Sequence, residues 1–301
     1  PKARPPHPMF SFCSDPSTLA TFQWFSCYLT NGVHMLFYQS FLTVFALLAI
    51  AAPLSLAMGF AAASASRART LPLRLIGKGY TAMVRGVPDI VFFLFFVLVL
   101  DQGIEFLRHS INCPDWDEPI RQGANFLVCE AGRMPQGSAP QWVHEAYNFG
   151  LAAFTYAIVF GAFCGNVLYG AMGAVPKAQL ETAAAYGMSQ RQTFWRILVP
   201  QMWVYALPGL SNIWMILIKA TPLLFLLGIE DIVYWAREIG GSRNSRFAYP
   251  HPDWRFWYFL GLLVFYLCFT RVSEIVLTRL TARLSKGQAT AGGEAMRKAP
   301  A

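Results

Sequence analysis

Five stretches of this chain are apolar enough, and nearly free enough of charge, to leave few ways to fold. A bilayer core is crossed by about 20 mostly apolar residues in a helix. The segment from about His34 to Ala63 contains no Asp, Glu, Lys or Arg, and neither does the segment from about Ala146 to Val175. Further candidates run from Leu73 to Leu107, from Gln201 to Lys219 and from Trp254 to Arg283. The strictly apolar part of the second, Ile90 to Leu100, is too short alone and must extend on both sides. Charged residues make up 13% of the chain and hydrophobic residues 55%, against about 25% charged in a soluble domain. The expected fold is therefore all-α, a polytopic membrane helical bundle of about five transmembrane helices. It divides into an N-terminal segment 1–33, a membrane domain 34–283 and a tail 284–301. Pro53 predicts a kink in the first span.

The charges between the spans set an orientation. Arg67, Arg69, Arg74, Lys78 and Arg85 crowd residues 66–85 with no acid among them, which marks a cytoplasmic loop. The long segment Asp101–Glu145 has seven acids against three arginines and belongs outside. Val175–Pro200 is then inside and Thr221–Asp253 outside. The tail, with Lys286, Arg297 and Lys298, is inside and expected to be disordered. The net charge of +8 reflects these loops; no nucleic-acid-binding pattern accompanies it. Lys2 and Arg4 are not followed by an apolar stretch with a cleavage site, so they do not read as a signal peptide. Trp254 and Trp257 suit a membrane interface. Phe22–Leu29 reads as an interfacial helix or, alternatively, an arm without fixed structure. Pro222–Ile229 is too short to span and reads as a re-entrant or packed half-helix. Asp89 is expected to cap the helix that follows Pro88.

Of six cysteines, Cys164 and Cys268 lie within spans. Cys113 and Cys129 share the outer loop, where an oxidising compartment would pair them. Cys13 and Cys27 offer a second pair. No metal site is expected, and zinc least of all, because no close cysteine–histidine spacing is read in the chain.

The segment Val175–Pro200 carries the most local information. Pro176 is placed to open a helix, Gly187 to stop it in a left-handed turn, and Ser189 with Gln192 to start another through a capping box. Pro200 predicts a stop before the next span. Two short helices around a turn suggest docking onto a partner. The order Glu181, Thr182, Ala183, then Gly187, then Ile197 and Pro200 resembles the EAA loop of ABC importer permeases. Thr182 stands for the first alanine of that pattern and Val199 for its leucine. Arg85-Gly86-Val87-Pro88, Ala206-Leu207-Pro208, Asn212, Trp214 and Ile218-Lys219-Ala220-Thr221 are similar to segments of the polar amino-acid permeases, closest to the histidine/arginine/opine group. The resemblance covers about residues 34–283.

It implies a permease subunit of the bacterial inner membrane that moves an amino acid or similar polar solute, with a basic amino acid or opine favoured. Two ATPase subunits holding ATP and Mg, a second permease of a different but homologous chain, and a periplasmic binding protein would be its partners. No cofactor would belong to this chain, and membrane lipid would surround it. Glu181, Thr182, Ala183, Ala184, Tyr186 and Gly187 would couple to the ATPase. Asn166, Asn212, Lys219 and Thr221 would lie along the substrate path; Asn212 and Lys219 are seven residues apart, on one face of a helix, and snorkelling to the membrane interface is the other role for Lys219. Two positions depart from the pattern: Tyr169 stands where an arginine is usual, and Asn166 where a glutamate is usual. An asparagine supplies no charge, so a buried helix–helix hydrogen bond is the other role for Asn166. The alternatives to an importer are a secondary transporter, for which no internal repeat is seen, and a polytopic membrane enzyme, for which no G-x-S-x-G, H-E-x-x-H or phosphate loop is present.

Overall fold

The computed structural model describes Cys13 and residues 19–116, 118, 120–122, 125–244 and 247–285. The tail from residue 286, expected to be disordered, lies outside the described residues. Ten α-helices are found among them: α1 Thr21–Leu29, α2 Gly32–Ser66, α3 Leu71–Gly86, α4 Asp89–Asn112, α5 Gln141–Ala174, α6 Lys177–Ala185, α7 Gln190–Thr193, α8 Val199–Ala220, α9 Ile232–Gly240 and α10 Arg255–Leu284. Two two-residue strands, Arg121–Gln122 and Asn125–Phe126, pair antiparallel in the outer loop. Five segments are long and apolar enough to cross a membrane: Gly32–Ser66, Asp89–Asn112, Gln141–Ala174, Gln190–Leu227 and Arg255–Leu284. In a bilayer every backbone polar group must be satisfied internally, which is why the chain spans it as helices.

Three boundaries differ from expectation. The segment 73–107 is not one helix. Val87 takes φ −110°, ψ 141° and Pro88 φ −55°, ψ 131°, because proline forces the residue before it out of the helical region. This breaks the chain into α3 and α4. Asp89 is the first residue of α4 rather than its cap, where its charge favours the helix N-terminus. The outer loop is shorter than 101–145, since α4 continues to Asn112 and α5 begins at Gln141. Pro200 does not stop the helix. A π-helical turn, Phe194–Leu198, joins α7 to α8, and the widened turn takes up a proline that lacks an N–H and would crowd the carbonyl four residues back.

The chain forms two compact units. The first holds the described residues of 1–49 and of 219–269. In it Phe22–Leu29 is part of a helix, α1, whose Cys27 is bonded to Cys13. Rings from α1, α2 and the start of α10 pack edge to face: Trp24 with Trp254, Tyr28 with His34, Phe41 with Phe265 and Phe45 with Phe269. The half-helix expected at 222–229 is a 3₁₀ turn, Thr221–Leu227, ended by Gly228 at φ +76°. α9 follows, started by Asp231, whose carboxylate accepts from the N–H groups of Val233 and Tyr234.

The second unit holds the described residues of 50–218 and of 270–285, and α5 is its centre. Two thirds (67%) of the apolar window of α5 is buried, against 11% for α4. Small residues let the helices approach: a Cβ on Gly59 of α2 would lie 2.5 Å from the Cβ of Cys164, and one on Gly77 of α3 would lie 2.8 Å from the carbonyl oxygen of Ala62. Such contacts are the usual way helices pack in lipid. Tyr80 of α3 donates to the carbonyl of Ile158 on α5, and Phe93 of α4 packs on Tyr156. Towards the other end, Ala63, Leu168, Ala171, Met172, Val175, Leu198, Met202 and Ala206 form a closed apolar cluster. This cluster fixes the base from which α6 and α7 project.

Candidate functional site

α5 ends at Ala174. Val175 and Pro176 are extended, and Pro176 takes the N-cap position of α6, with its carbonyl accepting from the N–H of Gln179. α6 ends in a Schellman turn: Gly187 is left-handed at φ +78°, its N–H donates to Ala184 at 2.9 Å, and the N–H of Met188 donates to Ala183 at 3.1 Å. Glycine takes this conformation without the Cβ penalty of other residues. The capping box is also present: Ser189 Oγ accepts from the N–H of Gln192, and Gln192 Oε1 accepts from the N–H of Ser189.

The six coupling candidates share this element. Ala183 is buried, while Glu181, Thr182, Ala184 and Gly187 are exposed and Tyr186 is 83% exposed. Thr182 Oγ1 donates to the carbonyl of Ala178 within the helix. No ion pair reaches Glu181 among the described residues, so its charge is free for another chain. Beside α6 runs a cleft of about 380 Å³, lined by Thr182, Ala183, Tyr186, Met188, Ile197 and Gln201. A second, of about 620 Å³, lies between the end of α2 and α6–α7 and presents Arg67 and Arg69 with Leu180, Met188 and Phe194. The arrangement is a shaped, mostly solvent-facing ledge on a packed base.

The path candidates are less unified. Asn166 on α5 is exposed in the single chain, and no hydrogen bond from its side chain to another helix is found among the described residues. Asn212 on α8 is exposed as well, and no hydrogen bond joins the two among the described residues. Lys219 is exposed near the end of α8. Thr221 is 0% exposed, and its hydroxyl is hydrogen-bonded to the hydroxyl of Tyr266 at 2.8 Å, so it holds two segments of the first unit together. Tyr169 is exposed, and the guanidinium of Arg67 lies 6.0 Å from its ring centre. A positive charge reaches position 169 from the end of α2, as a cation–π contact. The sequence gives no local signal for that pairing. The disulfide Cys113–Cys129 is formed.

The profile described as "Binding-protein-dependent transport system inner membrane component" matches residues 55–286. The histidine/lysine/arginine/ornithine transport system permease protein HisQ of Salmonella typhimurium is 32% identical over 238 residues, 78% of this chain and 86% of that protein. The arginine ABC transporter permease protein ArtQ of Haemophilus influenzae is 30% identical, covering 71% of this chain and 79% of its own length. The octopine transport system permease protein OccQ of Rhizobium radiobacter is 27% identical, with 78% and 84% covered. A solved amino acid ABC transporter with histidines superposes with a TM-score of 0.58 at 17% identity, covering 88% of this chain and 99% of that one. That likeness speaks for the fold.

Proposed function

The chain belongs to the family of binding-protein-dependent transport system inner membrane components, and on that premise we propose that it is the permease through which an ABC importer moves a basic amino acid or an opine inward. It is a multi-pass inner-membrane protein and a transporter component of the amino-acid ABC permease type. The finer reading concerns its partners and its residues. Two ATPase subunits bind and hydrolyse ATP with Mg; this chain holds no cofactor. A second, homologous permease completes the pathway, and a periplasmic binding protein delivers solute to the outer mouth.

The observation that supports coupling is the ledge of α6. It is fixed at both ends by local hydrogen bonds, seated on a closed apolar cluster, and leaves Glu181 and Tyr186 without partners in the described chain. A short rigid helix of this kind transmits displacement: closure of the ATPases pushes α6, and α6 moves the base of α2, α5 and α8. Asn166 and Asn212 of the second unit are exposed amides, and Lys219 of the first is an exposed cation; none of them is a carboxylate. The favoured basic solute is supported by the substrates for which the relatives are named, and its carboxylate end by Lys219.

Gentle purification of the tagged chain from its native membrane, followed by mass spectrometry, tests the reading. An ATPase subunit in the complex, with a second permease, is expected. The chain alone, under conditions where a control importer stays assembled, overturns it.

A further inference from the structure

His109 and the two cysteines of the outer loop meet at one point. His109 lies in the last turn of α4 and is 4% exposed. Cys113 follows one helical turn later, so the two side chains leave the helix end on one side. Cys129 returns across the loop, and its N–H donates to Nδ1 of His109 at 3.0 Å. That nitrogen accepts the bond with its lone pair, so a metal bond at Nδ1 takes the place of the Cys129 N–H. The ligand atoms of His109, Cys113 and Cys129 all lie within 4.8 Å of one another. Trp116 closes one side, with its ring edge-on to the imidazole at 5.5 Å.

The loop is held to α4 by contacts that use no sulfur. Arg108 donates to the carbonyl of Ala131 at 3.0 Å, and the N–H of Met134 donates to Glu105 at 3.2 Å. Gly132 lies so close that a Cβ there would sit 3.1 Å from the Cα of His109. Opening the disulfide thus leaves both cysteines near the imidazole, with their Cα atoms 6.7 Å apart as they stand. A zinc-type ion with sulfur at about 2.3 Å and nitrogen at about 2.0–2.1 Å needs ligand atoms roughly 3.5–4 Å from one another, a small adjustment from this arrangement. The expectation of no metal rests on the lack of a close cysteine–histidine spacing, and His109-x-x-x-Cys113 is such a spacing.

We propose that His109, Cys113 and Cys129 form a redox-gated site for a zinc-class cation. A dithiol reductant breaks the Cys113–Cys129 bond, giving it two electrons and two protons while closing to its own disulfide. Metal binding then releases the two thiol protons and forms two metal–sulfur bonds and one to the imidazole, with water in the fourth position. The loop is closed either by its disulfide or by the ion. This site is independent of the transport reading.

The test uses the full chain in detergent, reduced with a phosphine and titrated with Co(II) without oxygen. The expected result is a thiolate-to-cobalt absorption band with tetrahedral visible bands, saturating at about one ion per chain and displaced by Zn(II). Cys113→Ser and Cys129→Ser each abolish the band, while the double substitution Cys13→Ser/Cys27→Ser retains it. His109→Ala weakens binding at least about tenfold, and His109→Cys, which restores a soft ligand, recovers it. The oxidised chain shows no band. Absence of the band from the reduced chain overturns the proposal, as does a band that survives Cys113→Ser or Cys129→Ser, is lost in the Cys13/Cys27 variant, or is indifferent to His109→Ala.

Discussion

The backbone N–H of Met188 reaches back across Gly187 to the carbonyl of Ala183 at 3.1 Å. This bond turns the chain from α6 into α7 and aims the exposed face of α6 outward. It depends on Gly187 at φ +78°, where an L side chain is strained by about 1–2 kcal/mol. Gly187→Ala is therefore expected to leave the spans folded, since no atom lies within 4 Å of its added Cβ, while tilting α6. Uptake in proteoliposomes containing the whole importer should fall several-fold, with melting lowered by no more than the equivalent of about 1–2 kcal/mol. Uptake equal to the unaltered chain would remove Gly187 from the coupling role.

Glu181 provides the complementary case. It is exposed and makes no ion pair among the described residues, so Glu181→Gln should change melting by less than about 0.5 kcal/mol equivalent. If the charge engages an ATPase subunit, ATP hydrolysis stimulated by binding protein and solute should drop while assembly persists. Normal stimulated hydrolysis would place the contact elsewhere on α6.

The close approach of α2 and α5 makes a stability prediction that involves no partner. A Cβ on Gly59 would stand 2.5 Å from that of Cys164 and 2.8 Å from the backbone nitrogen of Gly165. Backbone cannot yield as a side chain tip does, so Gly59→Ala should cost about 1–3 kcal/mol through forced separation. Gly150→Ala on α5, where nothing lies within 4 Å, should be neutral or stabilising by up to about 1 kcal/mol, because glycine is the poorer helix former. Fluorescence-detected melting of both variants in detergent separates packing from propensity.

Local rules made much of this molecule readable. Gly187, Ser189 and Gln192 specify their turn by identities a few residues apart, and the structure forms the turn they specify. The apolar segments also read correctly, because each must satisfy its own backbone in lipid whatever it packs against. What failed was competition between rules. Pro88 lies beside one apolar run and breaks the helix, whereas Pro200 lies beside another and is absorbed by a π turn, and composition around the two does not tell them apart. The cation over Tyr169 and the imidazole beside Cys129 arise from residues 102 and 20 positions distant, so only the packing of α2 on α5 and the fold of the outer loop bring them together.

Tyr258 and His34 tie α10 to α2 within the first unit. His34 Nδ1 faces the side-chain oxygen Oδ1 of Asn31 at 3.2 Å and so carries the hydrogen, leaving Nε2 to accept from the Tyr258 hydroxyl at 2.7 Å. His34 is 1% exposed, and an orphaned buried acceptor costs about 1–3 kcal/mol. Tyr258→Phe should lower melting by that much. The hydroxyl of Tyr28 lies 3.0 Å from that of Tyr258, so a double-mutant cycle with Tyr28→Phe should show coupling of about 0.5 kcal/mol or more. Additive losses would mean that the two hydroxyls act separately.

Asp231 carries the pH dependence that can be signed. It is 0% exposed; Oδ1 caps α9, while Oδ2 has no partner among the described residues. Burial raises its carboxyl from 3.8 to about 6, against the lowering effect of the N–H groups it caps. The folded chain thus holds this proton more tightly than the unfolded chain. Its contribution to stability is complete below about pH 4 and is lost as the pH climbs through 6, a total of about 3 kcal/mol. Asp231→Asn keeps an oxygen for the cap and has no charge to desolvate, so its melting temperature should stay level between pH 4 and pH 7 where that of the unaltered chain falls. Asp231→Ala loses the cap as well and should sit about 1 kcal/mol below the asparagine variant at every pH. Parallel curves for the unaltered chain and Asp231→Asn would show that the carboxyl is already paired, by water or by another subunit, and that its burial imposes no proton uptake on folding.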